Sequence, residues 1–455
     1  MRGWNRDFMG CRDGRSRRIG RNLAKKPKMG SDGKRCRTAP TFMTLAAHMP
    51  SIPLPVTCSP LEAATHLRRR RGFVWLDSSL ERPEPPGSRG LSLLASEPDL
   101  ILDGSADEWH LLEQELKRRE RPSETQGMPD GAAIGYFRFD GSYRFGFYDH
   151  PLLHGPSGWV ENPSDHASQH RSEGGEIASA SPTFQPEMQC DGYMAMVRAA
   201  QEYIAAGDIY QVCLAHRFSA PFAGDPWPLY LALRNASPSP HAALLNLGDE
   251  TVLSSSPECF LKMSGRRIST RPIKGTRPRK QDRNQDELEA FELKTSPKEI
   301  AELVMITDLE RNDLGSVCEF GSVSASQLLH LERYAQVFHL VSTVEGTLQE
   351  GLSQVAALAA CFPGGSISGA PKKRALEIIR ELEPVPRGLF TGAIGYFGYN
   401  GESQFNIAIR TVVIRNGKAE FHVGAGITAD SVPEKEWEET LHKAAGILKA
   451  SKIGG

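Results

Sequence analysis

Apolar and polar positions change rhythm partway along the 455 residues. From residue 73 to about 148, short apolar stretches alternate with turn chemistry. Residues 73–76, 91–94, 101–102 and 132–137 read as strands, with one helix over 106–118. Residues 155–184 are polar and rich in Ser, Gly and Pro, which reads as a linker or long loop. From Met188 the pattern is denser. A helix over 193–206 stops at Gly207, and a strand over 208–215 follows. Further strands are expected at 242–247, 251–254, 392–398, 406–414 and 419–423. Helices are expected at 285–291, 297–309, 353–360, 371–382 and 433–449. Strands mixed with separate helices, without a βαβ rhythm, predict an α+β fold rather than a doubly wound sheet.

Composition narrows the picture. With 39% hydrophobic and 24% charged residues, the chain reads as soluble and globular. No apolar run reaches the length of a membrane span, so no membrane association is expected. The formal net charge of −1 conceals an asymmetry, because residues 1–38 hold thirteen Lys and Arg against three Asp. Such a block has too few apolar residues to pack, and residues 1–48 read as a basic, disordered extension, with an organellar presequence or a true start at Met43 or Met49 as alternatives. It has little aromatic interleaving, so nucleic acid is not an expected partner. The eight cysteines lie at scattered positions without CxxC spacing, which suits reduced thiols in the cytoplasm and does not suit zinc.

Candidate chemistry centres on Lys274, in Arg271-Pro-Ile-Lys-Gly-Thr-Arg277. An amine with an ordinary pKa near ~10.4 attacks well only where its site lowers that value. Burial, Arg271 and Arg277 would all act in that direction, whereas a solvated lysine in a basic loop would do nothing. Two acidic helices offer paired carboxylates. Glu299 and Glu302 lie at i and i+3, as do Glu436 and Glu439, with Lys443 on the same face as the second pair. Mg²⁺ takes one or two protein carboxylates together with an anionic substrate, though the same pairs also suit solvated helix faces. Glu258, beside Pro257 at a strand end, is a candidate general acid or a turn residue. Arg410 closes a strand and suits a carboxylate ligand. His339 lies in an apolar stretch that equally suits a packed core. The Gly-rich segment 361–374 opens a helix that Ser368 is placed to cap. It lacks the ending of a P-loop, so it favours a carboxylate over a phosphate.

Taken in order, Gly207-Asp-Ile-Tyr-Gln-Val212, Ser255-Ser-Pro-Glu258, Pro272-Ile-Lys-Gly-Thr276, Asp308-Leu-Glu-Arg-Asn-Asp313, Phe362-Pro-Gly-Gly-Ser-Ile-Ser-Gly-Ala-Pro-Lys372, Ile407-Ala-Ile-Arg-Thr411 and Gly424-Ala-Gly-Ile-Thr-Ala-Asp430 resemble the chorismate-utilising enzymes. That family includes anthranilate synthase component I, aminodeoxychorismate synthase component I, and the isochorismate and salicylate synthases. The resemblance runs from about residue 73 to 450. It implies two antiparallel β-sheets packed as a sandwich with helices outside. Residues 49–154 would then form an N-terminal subdomain and 185–452 the chorismate-binding catalytic domain.

Two positions separate the family's chemistries. Members that add water use a lysine base near the position of Gln211, and an amide cannot serve as that base. Anthranilate synthases typically read Pro-Ile-Ala-Gly-Thr where this chain has Pro-Ile-Lys-Gly-Thr, and the lysine form resembles the aminodeoxychorismate branch. The resemblance implies covalent catalysis by Lys274, proton donation by Glu258, and Mg²⁺ held through Glu302 and Glu439 with Glu299 and Glu436 behind them. Gly275, Thr276, His339, Arg410, Gly424, Ala425, Gly426 and Lys443 would bind chorismate. No Gly-x-Cys-x-Gly nucleophile setting occurs in the sequence, so ammonia would come from a separate glutamine amidotransferase subunit or from solution. Anthranilate synthesis and a catalytically silent binding subunit are the alternative readings.

Overall fold

The computed structural model describes residues 58–79, 90–122, 127–160, 181–334 and 337–453. The basic head at 1–48 lies outside these residues, as does 161–180 of the expected linker. The described residues form one compact unit.

Two sheets, antiparallel throughout, carry the fold. The first runs in the order Gly369–Ala370, Gln211–Pro221, Lys418–Ile427, Thr411–Arg415, Glu250–Ser256, His241–Asn246, Val74–Asp77, Ser92–Ala95, Leu152–Gly155, Gly158–Trp159. The second runs Ile273–Pro278, Val337–Thr347, Arg267–Arg271, Cys259–Ser264, Glu402–Ile407, Ala393–Gly398, Ala132–Phe137, Tyr143–Tyr148, Leu100–Gly104. Strands from before residue 155 lie hydrogen-bonded beside strands from after 185 in both sheets. Val74 pairs with Leu245, and Ala133 with Phe397. The two stretches therefore share their cores.

Alternation of side chains fixes which faces meet. Val74, Leu93, Ala243 and Val252 of the first sheet pack with Ile134, Ile394 and Tyr396 of the second, filling the sandwich. The outer faces are covered by helices. Pro226–Ala236 and Pro433–Ile453 lie over the first sheet, and Trp109–Arg118 and Gln354–Cys361 over the second. Helix starts follow local chemistry. Asp225 accepts from Trp227 N ahead of Pro226, and Ser296 accepts from Glu299 N ahead of Pro297.

Three local expectations change. The strand expected over 406–414 is two strands, one in each sheet, because the chain crosses between sheets and Arg410 takes a left-handed φ of 50° at the crossing. Ser368 does not cap a helix; its hydroxyl bonds the Gly364 carbonyl, and the helix begins at Lys372 after Pro371. Lys274 is on a strand rather than in a loop. Past the break at Pro272, Ile273–Pro278 continues along the same partner as Arg267–Arg271. No helix among the described residues is long and apolar enough to cross a membrane.

Candidate active site

The Ile273–Pro278 strand is irregular where the chemistry lies. Lys274 pairs with Leu340 and Thr276 with His339, so Gly275 is an extra residue, a bulge. Its φ is +74°, and a Cβ there would stand 2.5 Å from Leu293 Cδ1 and 3.0 Å from Glu299 Oε2. Only glycine fits this position. The bulge leaves Lys274 Nζ 3.3 Å from Glu302 Oε2, with the lysine side chain 21% exposed.

The surroundings of Lys274 act opposite to the sequence expectation. Burial alone would lower its pKa, but the charge of Glu302, joined by Cys213, Glu258 and Glu439, outweighs burial and holds the proton more firmly than usual. Neither arginine acts as expected. Arg271 bonds Glu332, and Arg277 lies 4.0 Å from Glu289.

Glu258 stands where the chain crosses from Glu250–Ser256 in one sheet to Cys259–Ser264 in the other. This crossing is stitched to the one at Arg410. Ile407 N donates to the Glu258 carbonyl at 3.1 Å, and Ser255 N to the Arg410 carbonyl at 3.1 Å. Glu258 is 6% exposed, and burial pushes its carboxyl pKa up, against the opposing pull of a 2.8 Å hydrogen bond from Ser366 and the charge of Lys274. A carboxyl that holds its proton more firmly than usual suits a general acid.

The Gln211 strand and its partner Lys418–Ile427 also approach Lys274. A Cβ on Gly426 would stand 2.7 Å from Gln211 Nε2 and 3.8 Å from Lys274 Nζ, so this glycine leaves the space between amide and amine open. Gln211 is 3% exposed, and its Oε1 has no hydrogen-bond partner among the described residues. Gly424 and Gly426 face one way, while the fully buried Ala425 side chain points into the apolar cluster on the other side, leaving only its backbone for a ligand. Lys443 donates to the Gly424 carbonyl at 2.9 Å and pairs with Glu439 at 2.7 Å.

Arg410, His339 and Thr276 form a second group. The Thr276 hydroxyl lies 3.0 Å from His339 Nδ1. Burial lowers the His339 pKa to about 4, with Arg410 acting in the same direction. Among the described residues the Arg410 guanidinium hydrogen-bonds the Ser237 hydroxyl, at 3.3 Å, and no carboxylate pairs with it. Burial lowers its pKa. Arg410 lines a cavity of about 140 Å³ with Ser237, Pro257, Tyr334, Val337 and His339. A desolvated guanidinium without a counter-charge suits an anionic ligand.

The four glutamates occupy two helices, Pro297–Gly315 and Pro433–Ile453. Glu299 is pushed up by burial and by Glu302. Glu436 is pushed up by burial and by Glu439, against a 2.7 Å hydrogen bond from Ser431. Glu439 is held the other way: burial alone would raise its pKa, but the charge and hydrogen bond of Lys443 outweigh it, so within each helix the two carboxyls differ in environment. Among the described residues no three His, Cys, Asp or Glu side chains are grouped to hold a metal by themselves. Mg²⁺ needs only one or two protein carboxylates beside water and an anionic ligand, so this donor set fits it.

Sequence reasoning missed the supports behind these groups. Ser366 is the partner of Glu258, Glu310 is a buried acid bonded by Thr270, and Arg387 and Glu383 form a buried ion pair. Ser366 lay within the Gly-rich segment, but nothing in its spacing pointed to Glu258, 108 residues away.

The family profile described as chorismate binding enzyme matches residues 147–449. Over 279 residues the chain is 49% identical to anthranilate synthase component 1 of Thermus thermophilus, covering 61% of this chain and 60% of that protein. Over 263 residues it is 46% identical to aminodeoxychorismate synthase component 1 of Bacillus subtilis, covering 58% and 56%. The chain therefore aligns with less than two thirds of either relative. The crystal structure of anthranilate synthase component I from Streptococcus pneumoniae is similar at a TM-score of 0.69 and 27% identity, covering 88% of this chain and all of that one. The isochorismate synthase MenF of Escherichia coli shares the fold, with a TM-score of 0.70 at 18% identity over 89% of this chain and 96% of that one. The chain belongs to the chorismate-binding enzyme family.

Proposed function

We propose that this protein is an aminodeoxychorismate synthase component I, which converts chorismate and ammonia to 4-amino-4-deoxychorismate for p-aminobenzoate and folate synthesis. The observation that carries this reading is Lys274, beside a glycine bulge, 3.3 Å from Glu302 and close to Gly426 and the non-basic Gln211. A partly buried lysine in place of a small residue supplies a nucleophile, and an amide in place of a base leaves water unactivated.

Lys274, as the free amine, attacks C2 of the ring. The double bonds shift and the C4–O bond breaks, while Glu258 gives its proton to the departing hydroxyl, which leaves as water. Ammonia then forms the C4–N bond, the double bonds return, and the C2–N bond to Lys274 breaks, so the enolpyruvyl group is retained. Arg410, with the backbone at Gly424–Gly426, binds the enolpyruvyl carboxylate; Thr276 and His339 line the same side. Lys443 lies toward the ring carboxylate.

Glu302 and Glu439 would hold Mg²⁺, with Glu299 and Glu436 behind them. Bound there, the ion would supply positive charge to the ring carboxylate and offset the glutamates that now keep the proton on Lys274. The ammonia source would be a glutamine amidotransferase subunit.

Anthranilate synthesis is the rival reading, favoured by the 49% identity to the Thermus thermophilus protein of that name. Incubation with chorismate, Mg²⁺ and ammonium, followed by product analysis without added lyase, separates the two. Aminodeoxychorismate is expected, and anthranilate in its place would sink the proposal. No metal-dependent chorismate consumption at high ammonium would instead favour a silent binding subunit.

A further inference from the structure

Arg387 is 3% exposed, yet all five of its N–H donors are used. Nε and Nη2 hold the two oxygens of Glu383 at 2.9 and 2.7 Å. Nη2 also donates to the Cys213 carbonyl at 2.7 Å, and Nη1 donates to the Ile367 carbonyl and the Thr391 hydroxyl, each at 3.1 Å. Phe139 and Phe390 lie against the guanidinium, with ring centres 4.6 and 5.7 Å from its central carbon. Glu383 has a second task, since its Oε1 accepts from Ala215 N at 2.8 Å.

Three of these contacts, to Ile367, Cys213 and Ala215, lie one short step from a group of the proposed site. Ile367 follows Ser366, whose hydroxyl bonds Glu258. Cys213 is two residues beyond Gln211 and opposite Gly426. Ala215 is opposite Gly424, whose carbonyl receives Lys443. Thr391 holds a left-handed φ of 61° directly after Phe390.

A buried ion pair is a poor source of net stability, because desolvation offsets most of the attraction. What five bonds from a rigid fork supply is fixed geometry between separate chain segments.

We propose that the Arg387–Glu383 pair is a positioning device that sets Ser366 against Glu258 and fixes the Gln211 strand alongside Lys274. This rests on the function proposed above. Neither residue touches the reacting atoms. The charged groups facing Glu258 are Lys274 from its strand, Lys443 from the last helix and Glu310 from Pro297–Gly315. The Ser366 hydrogen bond favours the ionised carboxyl, so its loss moves the Glu258 titration upward.

The test compares Arg387→Lys, Ser366→Ala and the double variant. Lysine keeps the charge but offers three donors without the fork. Chorismate consumption is measured per folded molecule, alongside Tm. The Glu258 carboxyl titration is followed by ¹³C NMR, with Glu258→Gln assigning the signal. Each single variant is expected to lower kcat by about ten-fold, the scale of one lost hydrogen bond to a charged group, with a smaller change in KM. Each is also expected to shift the Glu258 titration upward, and the double variant should be no worse than Arg387→Lys. Lower Tm with kcat and titration unchanged, or strictly additive losses, would overturn the proposal. If Arg387→Lys does not fold, Glu383→Gln keeps the shape and is judged by the same criteria. The titration needs no turnover. An unexpected product, or no turnover at all, therefore counts against the proposed function while the titration still decides the role of the pair.

Discussion

The ammonium of Lys274 lies 3.3 Å from the carboxylate of Glu302, and the two come from a bulged strand and from the helix Pro297–Gly315. Lysine and glutamate are 28 positions apart, and the glycine between Lys274 and Thr276 sets the approach. A nucleophile held against an acid at rest differs from a solvated surface lysine in a way that substitution can reveal.

Replacing Lys274 with Ala should abolish aminodeoxychorismate formation, by at least about 10²-fold in kcat, without a comparable loss of Tm. Product analysis is the check. Unaltered aminodeoxychorismate formation would refute the covalent role, and anthranilate in its place would support it.

Glu258→Gln should lower kcat by roughly 10²–10⁴-fold, the usual contribution of a general acid, with KM for chorismate nearly unchanged. Because burial raises the Glu258 pKa, the wild-type enzyme keeps its acid protonated to higher pH than an exposed glutamate would. The rate should therefore fall as pH rises through that pKa. In Glu258→Gln this limb of the profile should be missing.

Gly275→Ala should destabilise the fold by about 1–3 kcal/mol, the cost of one forced left-handed residue, and the clash with Leu293 adds to it. Thermal denaturation measures the loss. A wild-type Tm would contradict the bulge geometry.

Arg410→Met should weaken chorismate binding by roughly 10–100-fold, the worth of charge-assisted hydrogen bonds in a desolvated site. Arg410 has no carboxylate partner among the described residues, so its removal leaves no buried acid unpaired, and Tm should change little. Binding is measured directly by calorimetry.

Glu310 supplies a pH test of stability. Burial, with Glu258 and Asp313 nearby, pushes its pKa from 4.5 to about 8. A carboxyl raised in the folded state contributes stability that is fully present below pH 4.5 and is lost as pH rises to about 8. Glu310→Gln should remove that loss, so the Tm difference between variant and wild type should move in favour of the variant from pH 5 to pH 8. A difference independent of pH would mean that the carboxyl titrates normally.

Much of the fold was legible because periodicity is local. The helices over 193–206 and 433–449 and the strands at 132–137 and 242–247 follow from apolar spacing within a few turns, and the structure has all four within a few residues of their expected ends. The hairpin strands Ser324–Arg333 and Val337–Thr347 escaped notice, since the first is mostly exposed and carries no clean alternation. The break at Arg410 escaped because apolar residues continue through the sheet crossing, and only the backbone changes direction.

The sequence by itself determined the family, the α+β class and the kinds of side chain available: a lysine between Ile273 and Gly275, paired glutamates one helical turn apart, and an amide at 211. Those are properties of adjacent residues, and order along the chain preserves them. Only the tertiary structure decided the electrostatic sign at Lys274. Arg271 and Arg277 are its neighbours in sequence, yet both turn to other acids, while Glu302, Glu258 and Glu439 arrive from elsewhere to hold its proton. Charge acts through distance in space, and distance along the chain does not report it.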